Sequence, residues 1–502
     1  MENEKIIEVK EGVFPALNRE ELARIIYDDE SVEAMWERVS AAYSETCAIS
    51  DLNENYSYAR LKKDVACFRG ALASKGVKKG DFVGVFIPNS YDFVKVFLAV
   101  VTSGAVAVLI PPQLDEKTVY GMSAKFSFSA LVYGEQLAEK VKLASALPFP
   151  LIMAEEEGKE APSIKCRQSD PCAVLFTGGT TGKSKGVLLS HGAILQGTQN
   201  GCYGVKGLLG ERYLIVLPLT HVFGLIRNML TVLYTGSTLR ICRNPKDMFR
   251  EMAVFKPTYL ILVPALAEMG LNLSRQMKLG AKLFGGELRY IICGASATPP
   301  HLIKEYKAIG VTLLQGYGLT ESANLVSGNP NSLEKPESVG FPYPNQSLRI
   351  VNGELWIKGK NLMTCYLDEE ENKMAFEDGW FKTGDLARID DEGYIYIVGR
   401  IKEVIVLDSG EKVSPAEVEF AFCTPDYISD AMVYDERSES GRQILVLEVV
   451  LRPGFGVSKD VAKAELDKIN AALPSYERVS KIIIRDEDFP RSPSMKKIRK
   501  GN

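Results

Sequence analysis

The sequence predicts an α/β protein with a large amino-terminal domain and a small α+β carboxy-terminal domain. Three observations support this class: apolar strands alternate with amphipathic helices over the first part of the chain, short strands and tight turns follow Val351, and a compact mixed unit begins at Arg400. Alternating strands and helices indicate parallel βαβ units, because a parallel pair needs a crossover connection. We expect two domains, residues 1–398 and 399–502.

The elements follow in order from local signals. A Lys-Gly-Asp turn at 79–81 precedes a buried strand over 82–87, Ser90 is placed to cap a helix over 91–101, and 105–110 form the next strand. The same alternation continues downstream, so we expect two mixed or parallel sheets in βαβ layers. Its later segments are 213–217, 226–233, 238–242, 259–263, 290–293 and 312–314.

After Val351 the short strands 353–357 and 393–398 predict an antiparallel β subdomain. The carboxy-terminal unit then mixes strands with two helices. Its strands are predicted at 403–407, 430–434, 445–450 and 481–485, and its helices at 415–422 and 460–473.

The composition is that of a globular protein without a strong overall charge. Of 502 residues, 46% are apolar and 25% charged, and the net charge is −4, so nucleic acid is not an expected partner. Nine cysteines form no Cys-x-x-Cys pair and only three histidines accompany them, which favours a reducing compartment and no structural zinc. The most apolar stretch, 93–110, is interrupted by Lys95, and the amino terminus is acidic. We therefore expect a cytoplasmic protein without a membrane anchor.

The densest cluster of phosphate-binding groups is the run 177–186, TGGTTGKSKG. Glycine lets backbone N–H groups approach an anion, hydroxyls donate hydrogen bonds, and lysine supplies positive charge. A Walker A loop would need glycine at position 177, which is threonine. Strand-like residues on both sides, 173–176 and 187–189, predict a β-hairpin instead. The residues expected to hold phosphate are Thr177, Gly178, Gly179, Thr180, Thr181, Gly182 and Lys185.

Six further blocks accompany this loop. They are PLTHVFG at 218–224, GYGLTES at 316–322, WFKTGDL at 380–386, VGRIKE at 398–403, DSGEKVSPAEVE at 408–419 and PRSPSMKKIR at 490–499. In order and approximate spacing the set resembles the adenylate-forming enzymes, which comprise acyl-CoA synthetases, nonribosomal peptide adenylation domains and beetle luciferase. The resemblance implies that a carboxylic acid is joined to AMP from ATP with Mg²⁺, which turns its oxygen into a leaving group, and that a mobile carboxy-terminal lid then exposes it to a thiol.

The resemblance also implies roles around the nucleotide. Thr320 would hydrogen-bond phosphate, Glu321 would ligate Mg²⁺, and Tyr317 would lie against adenine; a carboxylate suits a hard cation and an aromatic ring suits a base. Asp385 would accept both ribose hydroxyls, and Arg400 would reach ribose or phosphate. The other nucleotide-binding positions implied are Gly294, Ala295, Gly316 and Gly318. For 316–322 a surface turn with an N-capping threonine is the structural alternative.

The lid carries three further expectations. Lys402 occupies the hinge position, and Lys496 would stabilise charge during adenylation. Met495 stands where the family usually has glycine, and the neighbouring Lys497 leaves a slip of one residue open. Gly410 would flank the channel for the pantetheine arm of CoA after the lid rotates, with a plain strand–turn–helix as the alternative.

In the acyl pocket, His221 would lie near the carbonyl and Phe223 would line the wall, whereas a lone histidine of this kind can also be a satisfied core residue. Arg227 follows Phe223 by one helical turn, where the family usually has an apolar or small residue. We hypothesise that Arg227 meets a second anionic group, such as the far end of a dicarboxylate. The alternative is a guanidinium that reaches solvent or makes a structural ion pair.

The blocks favour an ATP-dependent acyl-CoA synthetase acting on a small carboxylic acid, with ATP, Mg²⁺ and CoA. Residues 224–226 offer no acid to pair with an α-amino group, and no Gly-Gly-x-Ser carrier motif follows the lid. Two alternatives stay open: an acyl-AMP ligase that loads a separate carrier protein, and a catalytically silent ATP-binding regulator. A homodimer is compatible with the sequence, which leaves acyl chain length and aryl or alkyl preference open.

Overall fold

The computed structural model describes residues 7–9, 26–177, 185–203, 207–438, 440–452, 454–491 and 497–499. Two large mixed sheets and one antiparallel sheet form the body of the protein, and two small sheets lie in the carboxy-terminal unit. This confirms the predicted α/β class with its antiparallel subdomain. Among the described residues, no helix is both long and apolar enough to span a membrane.

The first large sheet has seven strands and a parallel centre. Strands Phe82–Phe86 and Val106–Leu109 are parallel neighbours joined by the helix Tyr91–Thr102, as predicted. Ser90 caps this helix, accepting a hydrogen bond from the Phe93 N–H at 3.3 Å. The strand order is Cys365–Tyr366, Gly186–Ser190, Pro171–Phe176, Val106–Leu109, Phe82–Phe86, Ala130–Tyr133 and Leu151–Met153. The antiparallel pair Pro171–Phe176 and Gly186–Ser190 is the hairpin predicted around the glycine-rich run.

The second large sheet has nine strands, with parallel pairing through its centre. Its order is Phe341–Pro342, Ser327–Asn329, Thr312–Tyr317, Tyr290–Cys293, Tyr259–Leu262, Arg212–Ile215, Thr238–Ile241, Cys47–Asp51 and Glu54–Ser57. The strands Tyr290–Cys293 and Thr312–Tyr317 run at their carboxyl ends into residues 294–295 and the block 316–322. Because ligands of open α/β sheets bind outside the carboxyl ends of the strands, this edge is where the site is expected.

Helices connect and cover these strands. The α-helices are Val32–Ala42, Tyr58–Ser74, Tyr91–Thr102, Glu116–Lys125, His191–Asn200, Thr231–Tyr234, Met248–Phe255, Pro264–Met277, Pro300–Ala308, Glu369–Asn372, Pro415–Phe422 and Lys459–Ala472. Short 3₁₀ turns occur at Glu135–Val141, Leu143–Ala146, Pro245–Asp247, Gly280–Phe284, Thr320–Ser322, Ile401–Glu403 and Ser475–Glu477. The segment Phe223–Leu230 is a π-helix, a rare element that often marks functional sites.

The antiparallel sheet is the third sheet of the body. Its strands are Ile7–Val9, Gln346–Val351, Glu354–Gly359, Trp380–Ile389, Phe376–Glu377 and Ile395–Arg400. The last strand pairs with Trp380–Ile389 as far as Arg400, so the proposed boundary at 398/399 falls inside a continuous strand. The division into two domains at that point stays a prediction.

The carboxy-terminal unit has an apolar core of its own, built around Val418, Phe422, Leu447 and Leu466. Its strands are Ile405–Val406 and Lys412–Val413 in one sheet, and Ile428–Arg437, Gln443–Leu451 and Lys481–Arg485 in the other. The parallel pairing of the last two strands completes the α+β arrangement. A separate core is what allows such a unit to move as one body.

Candidate functional site

One cavity of about 1570 Å³ lies where the nine-stranded sheet, the antiparallel sheet and the carboxy-terminal unit meet. A pocket for one small molecule occupies about 300–1,000 Å³, so this cavity has room for more than one substrate. The predicted residues that line it are Thr177, Lys185, His221, Phe223, Arg227, Gly294, Ala295, Gly316, Tyr317, Gly318, Thr320, Glu321, Asp385, Arg400 and Lys402. Gly178, Gly179, Thr180, Thr181, Gly182 and Lys496 lie outside the described residues.

Asp385 is a buried carboxylate that joins Tyr317 and Arg400 in one polar cluster. The Tyr317 hydroxyl donates to Asp385 Oδ2 at 2.6 Å, and Arg400 Nε lies 2.9 Å from Oδ1. Asp385 and Arg400 are cross-strand partners, which brings their opposite charges together. Burial, followed by the charge of Asp385, holds the pKa of Tyr317 well above its ordinary value, so its hydroxyl stays a donor; Asp385 also raises the pKa of Arg400. The cluster presents one fixed carboxylate to the cavity.

The block 316–322 ends its strand and forms a short turn that places Thr320 and Glu321 on the cavity wall. Thr320 is only 9% exposed and is not the capping residue, so the surface-turn alternative does not describe it. The Tyr366 hydroxyl donates to Glu321 Oε1 at 2.7 Å, and burial together with the Glu321 charge raises the pKa of Tyr366. This bond orients the carboxylate through one oxygen.

The two described ends of the glycine-rich run are held together. The Thr177 N–H donates to the Lys185 carbonyl at 3.0 Å, and the Lys185 N–H donates to Thr177 Oγ1 at 3.2 Å. The Lys185 ammonium pairs with Glu371 and lies 4.8 Å from the centre of the Tyr366 ring. Lys185 therefore faces the cavity while bound to a carboxylate that an anionic ligand would have to replace.

Backbone segments approach each other closely at the predicted nucleotide wall. A Cβ atom on Gly318 would lie 1.1 Å from the Asn324 carbonyl oxygen, so only glycine fits this position. A Cβ atom on Gly294 would lie 3.3 Å from the Phe223 ring, which joins the nucleotide wall to the acyl pocket. Ala295 has a φ of 69°, a left-handed conformation that costs energy for alanine and is concentrated at functional sites.

His221 has a defined ring orientation. The Phe223 N–H donates to His221 Nδ1 at 3.3 Å, which assigns the ring proton to Nε2. The segment before it is fixed by Asn89, whose Nδ2 donates to the Leu217 carbonyl at 2.8 Å and whose Oδ1 accepts the Leu219 N–H at 2.9 Å. His221 lines the cavity with an N–H donor and is not a fully buried core residue.

Arg227 is buried on the π-helix with 2% of its surface exposed, so its head does not reach solvent. Among the described residues it makes no ion pair, and its Nη1 has no hydrogen-bond partner. Neither form of the structural alternative for Arg227 therefore holds in the described part of the chain.

In the lid, the Lys497 ammonium is bound by other groups of the carboxy-terminal unit. Its Nζ donates to Asp430 Oδ1 at 2.9 Å and to the Ala431 carbonyl, and it lies 3.4 Å from Glu419 Oε2. Although burial opposes its charge, these two carboxylates raise the pKa of Lys497. A lysine held in this way is poorly placed to leave for a substrate, which supports Lys496 over the slipped assignment. Gly410, with φ 93°, lies in a turn outside the cavity lining.

Sequence reasoning missed Asn89, Tyr366 and Glu371. Their contacts join residues far apart in the chain, for example Asn89 with Leu217 across 128 positions, and no local pattern signals those of Tyr366 and Glu371. Only Asn89 had a usable signal. It stands in the capping motif 88–90, where Ser90 already caps the helix, so the asparagine was available for another partner.

Comparison with known proteins extends these observations. A sequence profile described as "AMP-binding enzyme" matches residues 36–367. The oxalate–CoA ligase of Arabidopsis thaliana is 29% identical, over 93% of this chain and 97% of its own. The anthranilate CoA ligase AuaEII in complex with anthranoyl-AMP shares the fold, with a TM-score of 0.84, 20% identity and coverage of 95% and 97% of the two chains. The o-succinylbenzoate CoA synthetase of Bacillus subtilis in complex with ATP and magnesium ion does so with a TM-score of 0.79, 24% identity and coverage of 93% and 98%.

Proposed function

The chain belongs to the AMP-binding enzyme family, and from this premise we propose that it is an AMP-forming acyl-CoA synthetase, an acid–thiol ligase. The relatives reported above are named as CoA ligases or CoA synthetases, which supports a thiol acceptor. The observation that carries the proposal is the large cavity, because the Asp385 cluster, Glu321 and the described ends of the glycine-rich run line it together with His221 and Phe223.

In the first half-reaction, the carboxylate of the acid attacks the α-phosphorus of ATP and pyrophosphate leaves. Asp385 would accept the ribose hydroxyls through oxygens that Tyr317 and Arg400 hold in place. Thr320 and the run 177–186 would bind phosphate oxygens, with Lys185 exchanging Glu371 for the anion. His221 would donate from Nε2 to the acid, and Lys496 would stabilise the charge that builds up between carboxylate and phosphate.

The residues present fit one Mg²⁺ bound mainly through ATP. Glu321 offers a carboxylate whose Oε2 has no hydrogen-bond partner in the described part of the chain. Among the described residues no group of three or more His, Cys, Asp or Glu could hold a metal ion, which agrees with an ion that takes one carboxylate and completes its shell with phosphate oxygens and water. Bound there, the ion would neutralise phosphate charge.

In the second half-reaction, the thiol of CoA attacks the acyl carbon and AMP leaves. We propose that the carboxy-terminal unit rotates about Lys402, removes Lys496 from the cavity and brings Gly410 to the thiol channel. Gly410 suits this role because a Cβ atom there would meet nothing within 4 Å and its φ of 93° favours glycine. A cytoplasmic location belongs to the same proposal, since all nine cysteines are free thiols, as suits a reducing compartment.

The test is pyrophosphate release from Mg·ATP over a panel of fatty, aryl and dicarboxylic acids, with and without CoA. We expect one class of acid to turn over and CoA to increase its turnover strongly. Lys496→Ala should abolish pyrophosphate release but spare thioester formation from supplied acyl-adenylate; equal loss of both half-reactions would contradict the rotation. Turnover that ignores CoA would point to a separate carrier protein as acceptor. ATP binding without pyrophosphate release for any acid would point to a silent regulator.

A further inference from the structure

Arg227 is the second largest fully buried side chain among the described residues, after Trp36. It stands on the π-helix Phe223–Leu230, four positions after Phe223, and both residues line the cavity. A π-helix turns with i→i+5 hydrogen bonds, so residues four or five apart lie near the same face. Arg227 therefore lies on the cavity wall beside Phe223, in the part expected to form the acyl pocket.

The charge of Arg227 is not balanced by a carboxylate in the described part of the chain. The described residues place no carboxylate within 4.0 Å of it, and Nη1 has no hydrogen-bond acceptor. Its neighbours include the phenols Tyr213 and Tyr343. Burial raises the pKa of Tyr343 to about 12 although Arg227 acts in the opposite direction, and burial raises the pKa of Tyr213 as well. Both phenols are neutral at physiological pH and cannot neutralise a guanidinium.

A buried guanidinium without a counter-ion destabilises a protein, because its hydration is lost and nothing replaces it. Such a group is retained at a site when a ligand supplies the missing charge. A hydroxyl, a ketone or a water could accept one hydrogen bond from Nη1 but would leave the charge unbalanced. A carboxylate accepts two parallel hydrogen bonds from the planar guanidinium and neutralises it.

We propose that the acid activated by this enzyme is a dicarboxylic acid, and that Arg227 binds the carboxylate that is not activated. This inference rests on the proposed function and adds its substrate class. One carboxylate lies near His221, just before the π-helix, and the other meets Arg227 within that helix. Phe223, between them, packs against the carbon chain.

The test compares kcat/KM in pyrophosphate release for mono- and dicarboxylates of equal chain length, such as hexanoate and adipate. The wild-type protein should prefer the dicarboxylate at its best length. Arg227→Met should lower that ratio at least about tenfold, mainly through the KM of the dicarboxylate, because an unmatched buried polar group discriminates strongly. Arg227→Lys keeps the charge but loses the planar guanidinium. Its ratio should therefore lie between those of the wild type and Arg227→Met. Arg69→Met, which removes another buried arginine outside the cavity lining, should not change the ratio.

Stability provides an independent readout. If Arg227 binds substrate, Arg227→Met should raise the melting temperature of the ligand-free protein, and a structural arginine would lower it. Adipate should raise the melting temperature of the wild type but not that of Arg227→Met. A monocarboxylate preference at every length, an unchanged ratio in Arg227→Met, or equal turnover of a hydroxy or keto acid of the same length would each overturn the dicarboxylate assignment. Release with no acid at all would instead overturn the proposed function, and the assignment with it.

Discussion

Arg452, the first residue after the strand Gln443–Leu451, lies 2.8 Å from Glu268 on the helix Pro264–Met277 of the body. Its guanidinium is fully buried and also lies 2.7 Å from Glu305. His301 Nε2 lies 2.7 Å from the other oxygen of Glu268. Although burial opposes ionisation, His301 and Arg452 lower the pKa of Glu268, so the pair is charged at neutral pH. The carboxy-terminal unit is thus tied to the body by a buried ion-pair network.

Arg452→Met should weaken the arrangement that places the lid over the cavity. Removing one partner of a buried pair costs about 3–5 kcal/mol. Glu268 keeps His301 and Glu305 keeps Arg275 as a partner, so the loss should lie toward the lower end of that range. If this arrangement serves adenylation, pyrophosphate release should fall, while thioester formation from supplied acyl-adenylate should fall much less. Both half-reaction rates are measured in single-turnover experiments.

The matched control is Arg437→Met, which removes an arginine whose pair with Asp408 is exposed and lies within the carboxy-terminal unit. It should leave both half-reactions close to wild type, since exposed pairs contribute about 0–1 kcal/mol. Equal loss of the two half-reactions in Arg452→Met would show that the network stabilises the fold without selecting a lid position.

Tyr317→Phe should weaken ATP binding about tenfold, because the hydrogen bond to a buried, charged carboxylate is lost. Asp385 would keep its pairing with Arg400, so the fold should survive. Isothermal titration with ATP gives the dissociation constant. Tyr434→Phe removes a similar hydrogen bond, to Glu448 at 2.8 Å, outside the cavity lining and should not alter ATP binding. Unchanged affinity for ATP in Tyr317→Phe would contradict the proposal that Asp385, held by Tyr317, binds the nucleotide.

Glu371→Gln should tighten ATP binding. Glu371 holds the Lys185 ammonium in the ligand-free protein, so the triphosphate has to break this partly exposed pair, which is worth about 0–1 kcal/mol or up to about fivefold in affinity. Glu370→Gln is the control, because Glu370 lies on the same short helix and pairs with the exposed Lys373. Weaker ATP binding in Glu371→Gln would mean that Glu371 positions Lys185 for the phosphate.

Because His191 is buried, we expect the protein to lose stability in mild acid. Its ring is fully buried, neither nitrogen has a hydrogen-bond partner among the described residues, and burial lowers its pKa to about 4, with Asp170 acting in the opposite direction. The unfolded chain titrates near the ordinary value of about 6.5, so between about pH 6.5 and 4 only the unfolded state binds the proton. The free energy of unfolding should therefore decrease over this window, by up to about 3 kcal/mol.

Urea unfolding at about pH 7 and about pH 5 measures this decrease. His191→Leu should reduce the pH-dependent component, whereas His221→Leu, which changes a partly exposed histidine, should retain it. The same pH dependence in His191→Leu and in the wild type would assign the acid sensitivity to other groups.

Local features of this protein could be predicted from the sequence, and contacts between distant segments could not. Ser90 and the flanks of the glycine-rich run are read correctly because a cap and a hairpin depend on neighbouring residues. Asp385 and Arg400 are assigned to one ligand from their blocks, and they prove to be cross-strand partners. The bond between Tyr317 and Asp385 spans 68 positions, and the bond from Arg452 to Glu268 spans 184. Such pairs are set by how sheets and helices pack, which the periodicity of one segment does not record.

The pairing of Asp385 with Arg400 at the end of the body has a mechanical consequence. In a rigid-body rotation, atoms near the hinge move less than atoms far from it. Arg400 stands two residues before the proposed hinge at Lys402 and is paired with Asp385 of the body, whereas Arg452 belongs to the unit that would rotate. A ribose bound by Asp385 and Arg400 would therefore be displaced very little while the carboxy-terminal unit rotates. The acyl-adenylate could then stay bound during the rotation, while the lid residues above it are exchanged.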